Sequence, residues 1–236
     1  MIFANRDAAG RALAEQVARQ VPADAGPPLV LALPRGGVPV AVPVAERLGA
    51  DLDLVIARKI GAPGHPEYGV GAIAEDGPPI FDRTTLRYLG LSEDDLADTV
   101  AAERAELARR ISRYRAGRAA PDVTGRTVVL VDDGLATGVT ARAAIGWLRG
   151  RRPYRLVLAV PVCSRDARDL LAGDADTVVY LHAPEYFSAV GQWYDDFGQL
   201  DDADVDRALA RASRRRTTVE RISKGGRPAP RGSSLL

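Results

Sequence analysis

Apolar residues recur along the chain in short unbroken runs, and between these runs the spacing of apolar positions changes to that of a helix. LVLAL (29–33), DLDLVIA (51–57), RTVVLVDD (126–133), 155–160 and 177–182 each read as a strand, and unbroken runs suit strands covered on both faces. Residues 8–21 put Leu13, Val17 and Val21 on one helical face, with Asp7 as the expected cap. Residues 38–48 suit a helix, although Pro43 would remove a backbone donor from its middle. Ser92 opens the cleanest helical pattern: Leu96, Val100, Leu107, Ile111 and Tyr114 share a face, with Glu106 and Arg110 at i,i+4 outside. Residues 140–149 predict another helix. GAIAEDGPPIFD (71–82) predicts strand, turn and strand. GAPGHPEYGVG (61–71), with four glycines and two prolines, predicts a long loop. Alternating strands and helices predict an α/β domain with a mostly parallel sheet.

Composition narrows the class. Of 236 residues, 46% are hydrophobic, enough for a substantial core. The formal net charge is +1, yet residues 211–236 alone hold eight Arg or Lys against one acid, Glu220. That leaves −6 on residues 1–210, so the chain reads as an acidic body with a basic, Pro/Gly/Ser-rich tail expected to be disordered. The single cysteine, Cys163, excludes an internal disulfide and is expected to be packed rather than reactive. The first residues lack a signal-peptide pattern and no run is long enough to span a bilayer, so a soluble cytoplasmic protein is expected, with no membrane partner.

The chemistry concentrates in VLVDDGLATGVT (129–140). Strand, Gly-rich turn and helix start is a way to present backbone N–H groups and a partial positive charge to a phosphate. Gly134 and Gly138 permit close approach, and Thr137 and Thr140 add hydroxyl donors. The stretch has no lysine and no Gly-Lys-Ser/Thr ending, so it suits a monophosphate rather than a triphosphate. Asp132 and Asp133 would repel a phosphate unless they face donors such as ribose hydroxyls, or a Mg²⁺ ion. A ribose 5-phosphate lying along the strand end and loop satisfies both halves.

This string resembles the phosphoribosyl-diphosphate (PRPP) signature of the type I phosphoribosyltransferases. LPRGGVPVA and RKIGAPGHPE, ahead of it, are similar to bacterial proteins of that family whose acceptor is poorly defined. The resemblance covers roughly residues 1–210. It implies a parallel sheet of about five strands with a small hood, and transfer of phosphoribosyl from PRPP to a nitrogenous acceptor with Mg²⁺. It implies that Asp132 and Asp133 contact the ribose hydroxyls and the ion, while Gly134, Ala136, Thr137, Gly138 and Thr140 hold the 5′-phosphate. The Pro34-Arg35-Gly36-Gly37 turn would take pyrophosphate through its backbone, the family often having a cis non-proline peptide there, and Arg35 would add a charged fork. Lys59, on a movable lid, would neutralise the leaving group, with His65 and Glu67 as further loop contacts. A homodimer is expected.

Two further readings accompany these. The segment PEYFSAVGQWYDDF (184–197) is rich in aromatics: Tyr186, Phe187, Trp193 and Tyr194, with Phe197, could form a hood stacking on a planar base, or pack as a C-terminal flap. The alternative function is a PRPP-sensing regulator that uses the basic tail on nucleic acid. Retention of Arg35 and Lys59 favours catalysis, and the tail lacks the aromatic interleaving expected of a nucleic-acid partner.

Overall fold

The computed structural model describes residues 2–21 and 26–212. The expected basic tail lies almost wholly outside the described residues. The elements are α1 (Arg6–Gln20), β1 (Leu29–Ala32), α2 (Gly37–Leu48), β2 (Asp51–Leu54), β3 (Ala57–Ala62), β4 (His65–Ala74), β5 (Ile80–Phe81), α3 (Arg83–Leu89), α4 (Ala97–Arg115), β6 (Thr127–Val131), α5 (Val139–Arg149), β7 (Arg155–Val162), α6 (Arg165–Leu171) and β8 (Thr177–His182). A further helical stretch covers 202–212, across the expected 210/211 boundary, where Arg211 reaches Asp7 and Glu46.

Five parallel strands form the main sheet in the order β2-β1-β6-β7-β8. Every residue of β1 and β6 is buried, as the unbroken apolar runs require. Alternation of side chains divides the core in two. Val30, Ala32, Val129, Val131, Val157 and Ala159 pack toward α1, α2 and α4. Leu29, Leu31, Val128, Leu130, Leu156 and Leu158 pack toward α5 and α6. From β1 the chain crosses through α2 to β2, on one side; from β6 it crosses through α5 to β7, on the other. The ends of β1 and β6 therefore flank the point where the order reverses, the place where open α/β sheets bind ligands.

Several expectations change. Asn5 rather than Asp7 caps α1, its side-chain oxygen accepting from the Ala8 N–H at 2.9 Å. Asp7 instead pairs with Arg11 and Arg211. α2 keeps Pro43 inside it, because the helix is buried nearly all round and its backbone lies against α1, where a Cβ on Gly10 would stand 2.5 Å from the Val40 oxygen. The run 51–57 is not one strand: β2 stops at Leu54 and Ala57 starts β3 in a separate sheet. Ser92 and Asp95 hydrogen-bond each other ahead of a 3₁₀ turn, and α4 starts only at Ala97. α3 and α6 were hidden by their shortness; Asp82 and Ser164 cap them.

The largest correction concerns residues 61–71, which form a β-hairpin rather than a loop. β3 and β4 pair antiparallel around Pro63-Gly64, with register shifts at Ile60/Gly61 and Gly61/Ala62, and β5 adds a third strand. The glycines serve close approach here: a Cβ on Gly61 would meet the Pro66 oxygen at 2.5 Å, and one on Gly71 the Ile80 oxygen at 2.5 Å. The hairpin sheet packs against α4 and α5. Among the described residues no helix is long and apolar enough to cross a membrane.

One buried ion pair ties this sheet to the main domain. Arg115, at the end of α4, donates to Glu75 at 2.7 Å and to the Leu54 carbonyl at 3.2 Å, and Glu75 also accepts from the Ile56 N–H. Their side chains are 7% and 5% exposed. We predict that Arg115→Ala destabilises the fold by about 3–5 kcal/mol, since it strands a buried carboxylate; a loss below about 1 kcal/mol in urea unfolding would count against this role.

Burial pushes two other groups upward: the Cys163 thiol from 9.0 to about 11, and the Tyr114 hydroxyl from 10.0 to about 12, the latter helped by its 2.6 Å hydrogen bond to Asp202. The folded state holds these protons after the unfolded chain has lost them. Their contribution is complete below pH 9 and lost as pH rises to 12, on the order of 2–3 kcal/mol each. Urea unfolding from pH 8 to 12 checks this, and a Tyr114→Phe, Cys163→Ala variant with the parent's slope would refute it.

Candidate active site

The two turns at the switch point lie directly on one another. After β1 the chain turns through Pro34-Arg35-Gly36-Gly37, with a cis peptide between Pro34 and Arg35. After β6 come Asp132 and Asp133. A Cβ on Gly36 would fall 2.0 Å from the Asp133 Oδ2 atom, and one on Gly37 would fall 2.6 Å from the Val131 oxygen. No side chain fits at either position. The contact brings the expected pyrophosphate turn and the expected ribose acids together.

The loop that follows is held from below. The Leu135 N–H donates to the Val162 carbonyl, the Ser164 N–H returns to Leu135, and the Ser164 hydroxyl donates to the Ala136 carbonyl at 2.6 Å. A Cβ on Gly134 would stand 2.6 Å from Val190, so that residue is also a contact point. Gly138 adopts φ 74°, a left-handed conformation, and starts α5. Ala136 and Thr137 are exposed, and Thr140 is half-buried in the first turn of α5. Among the described residues, the backbone N–H groups of 136–141 donate to no protein acceptor. A row of open donors at a helix start is the arrangement that takes an anion.

The acids are far from ordinary. Asp132 accepts from the Asp133 N–H at 2.9 Å, and its carboxyl is pushed well above the usual carboxylate range by burial and by the charge of Asp133. Burial raises Asp133 as well, opposed by a hydrogen bond from Arg6 at 2.8 Å. Arg6 has no signal in the sequence, since it is the first residue of a helix remote in sequence from every motif. Together with Arg35, Gly36, Asp133, Gln199 and Leu200 it lines a cavity of about 300 Å³.

Lys59 is elsewhere. It is an exposed residue of β3, opposite Ala72, with its stem over Gly69, where a Cβ would meet it at 2.8 Å. It lines a second cavity, of about 540 Å³, with Arg58, Gly64, Thr99 and Glu103. Arg58 is paired there with Glu103 at 2.6 Å. His65 starts β4, inside the hairpin.

The aromatic segment is mostly packed. Tyr194 is buried, stacks on Phe197 and lies 5.6 Å from Phe3, so it offers no free face to a planar base; its hydroxyl donates to the Asp133 carbonyl. Trp193 stacks on Phe187 at 6.3 Å and meets His182 edge-on. Tyr186 alone of the four is fully open, at 85% exposure. This segment and the N-terminus form a clasp, with Phe3 donating to Trp193 and accepting from Asp195.

Comparison with known proteins agrees with this arrangement. Residues 2–191 match the family described as Phosphoribosyl transferase domain. Two Mycobacterium tuberculosis proteins, from strains CDC 1551 and H37Rv and provisionally named phosphoribosyl transferases, are 45% identical over 216 residues. The match takes in 90% of this chain but 47% of theirs, so the chain spans about half the length of the curated relatives it matches. The crystal structure of TT1426 from Thermus thermophilus is similar at 44% identity and a TM-score of 0.74, over 89% of this chain and 99% of that one. With its five-stranded parallel sheet, its signature at the switch point and a family match over most of its length, the chain belongs to the phosphoribosyl transferase family.

Proposed function

We propose that the protein transfers the 5-phosphoribosyl group of PRPP to a nitrogenous acceptor and releases pyrophosphate. The observation that carries this reading is the acid pair lying against the Gly36-Gly37 turn, next to the open N–H groups of 136–141. In this reading Ala136, Thr137, Gly138 and Thr140 bind the 5′-phosphate, with Gly134 keeping the loop close. Asp132 and Asp133 accept from the ribose hydroxyls, and the N–H groups of Arg35 and Gly36 with the Arg35 side chain take the diphosphate, the Gly37 N–H being used on the Leu33 carbonyl. The bond from C1 to the diphosphate oxygen breaks and its electron pair leaves with pyrophosphate, a bond from C1 to the acceptor nitrogen forms, and the proton of the acceptor N–H passes to solvent. As C1 becomes cationic, the adjacent acids stabilise it, and Arg35 stabilises the charge growing on the leaving group.

Magnesium belongs to the substrate side of this proposal. Among the described residues no group of three His, Cys, Asp or Glu is arranged to hold an ion. Two acids do suit an ion whose other ligands are diphosphate oxygens and water, and Asp132 and Asp133 are the residues that would hold it. Bound there, it would offset the diphosphate charge.

A second reading has one observation in its favour. Lys59 lines a different cavity from Asp133, which suits a PRPP-binding regulator that needs no leaving-group cation. Pyrophosphate release separates the two. Incubation with PRPP, Mg²⁺ and a panel of bases is expected to liberate pyrophosphate with at least one of them; saturable PRPP binding without turnover across a broad panel would favour the regulator.

Two variants test the residue roles. Replacing both acids, Asp132→Asn with Asp133→Asn, is expected to weaken PRPP binding by about 3 kcal/mol through lost charged hydrogen bonds; calorimetry giving the parent's affinity would remove the acids from the site. Lys59→Ala is expected to lower kcat roughly ten- to a thousand-fold, with little change in PRPP affinity, if the hairpin carries its charge to the leaving group. An unchanged kcat would leave Lys59 outside the chemistry.

A further inference from the structure

We propose that Arg6 is a positioning residue for the ribose-binding acid, fixing the Asp133 carboxylate and cancelling one of two adjacent negative charges beside an anionic substrate. The inference rests on the site proposed above and adds to it a residue from outside every motif.

The contact is built rather than incidental. The Arg6 Nε atom lies 2.8 Å from the Asp133 Oδ2 atom, with side chains 11% and 14% exposed. The guanidinium is held at two further points: its carbon lies 3.8 Å from the centre of the Phe197 ring, and its Nη1 atom donates to the Gly198 carbonyl at 3.0 Å. Neither of these involves Asp133, so the cation is seated before it meets the acid.

The terminal clasp fixes the seat. Asn5 caps α1 immediately before Arg6. Phe3 and Ala4 hydrogen-bond through their backbones to Trp193, Asp195 and Asp196. Tyr194 reaches from the same clasp to the backbone carbonyl of Asp133. Two segments remote in sequence thus grip one residue of the signature, by its carboxylate and by its carbonyl.

The carboxylate is thereby confined on two sides. Gly36 closes one, since even a methyl group there would overlap Oδ2, and Arg6 closes another. Asp133 still lines the cavity of about 300 Å³, so a hydroxyl donor can approach its remaining lone pairs without displacing the arginine. The charge argument points the same way. PRPP carries phosphate and diphosphate charge toward two neighbouring carboxylates, and a paired Asp133 repels it less than a bare one.

The test is PRPP titration calorimetry in Mg²⁺ on the parent, Arg6→Ala, Arg6→Lys, Asp133→Asn and the Arg6→Ala, Asp133→Asn double variant. We expect Arg6→Ala to weaken binding tenfold or more, Arg6→Lys to recover part of the loss, and the arginine to matter less than twofold once Asp133 is Asn. If Arg6→Ala melts early, Arg6→Gln, which keeps the reach and loses the charge, takes its place. Tighter binding by Arg6→Ala would make the arginine a plug over the acid and overturn the proposal. Equal weakening with and without the Asp133 carboxylate would make it a mere tie between segments, and overturn it too. In both cases the PRPP site itself stands, because the parent binds; a parent that binds no PRPP overturns the site reading and this inference together.

Discussion

Two glycines allow the turn after β1 to lie against the acids that end β6, and the whole site follows from that contact. A Cβ on Gly37 would stand 2.6 Å from the Val131 oxygen and force the two backbones apart, and one on Gly36 would displace the Asp133 carboxylate. The contact needs neighbouring strands, and β1 and β6 are neighbours only because the chain reverses its direction of winding between them. Arg35 and Gly36 of one turn and Asp133 of the other then line the same cavity.

The fold accepts an electrostatic cost to keep the acids there. Burial raises both carboxyls, and the charge of Asp133 raises Asp132 further. Compensation comes from a distance in sequence, through Arg6 and the terminal clasp that seats it. The same clasp absorbs most of the aromatic segment. Tyr194 serves the site by supporting the backbone of Asp133, and its ring is spent on Phe3 and Phe197. The protein thus uses its aromatics chiefly as structure, leaving Tyr186 exposed.

The hairpin sheet is the other departure from a simple reading. Its strands pack on α4 and α5, and the Arg115–Glu75 pair ties its base to the end of β2. Lys59 stands on a paired strand, with Arg58 beside it engaged by Glu103 on α4. Lys59 is thus carried by a paired strand rather than a loose loop, in a cavity separate from the one that Asp133 lines.

Most of the main sheet was legible in the sequence, since β1, β6 and β7 are buried and carry unbroken apolar runs, whereas β2, DLDL and only partly buried, merges in the sequence with the start of β3. The candidate site was also legible, since a strand ending in Asp132-Asp133 and leading into a small Gly/Thr loop has a local chemical logic, and the fold sets that strand end at the point where the strand order reverses. Residues 61–71 carry the Gly and Pro that ordinarily mark loops, yet they pair as strands; the glycines admit neighbouring backbone, a reason that exists only once the strands are paired. The Asn5 cap and the short α3 and α6 turn on local hydrogen bonds that several nearby residues could have made. Arg6 could not be found at all from its surroundings in the chain. Its role depends on which carboxylate the folded backbone sets 2.8 Å away, and only tertiary structure decides that.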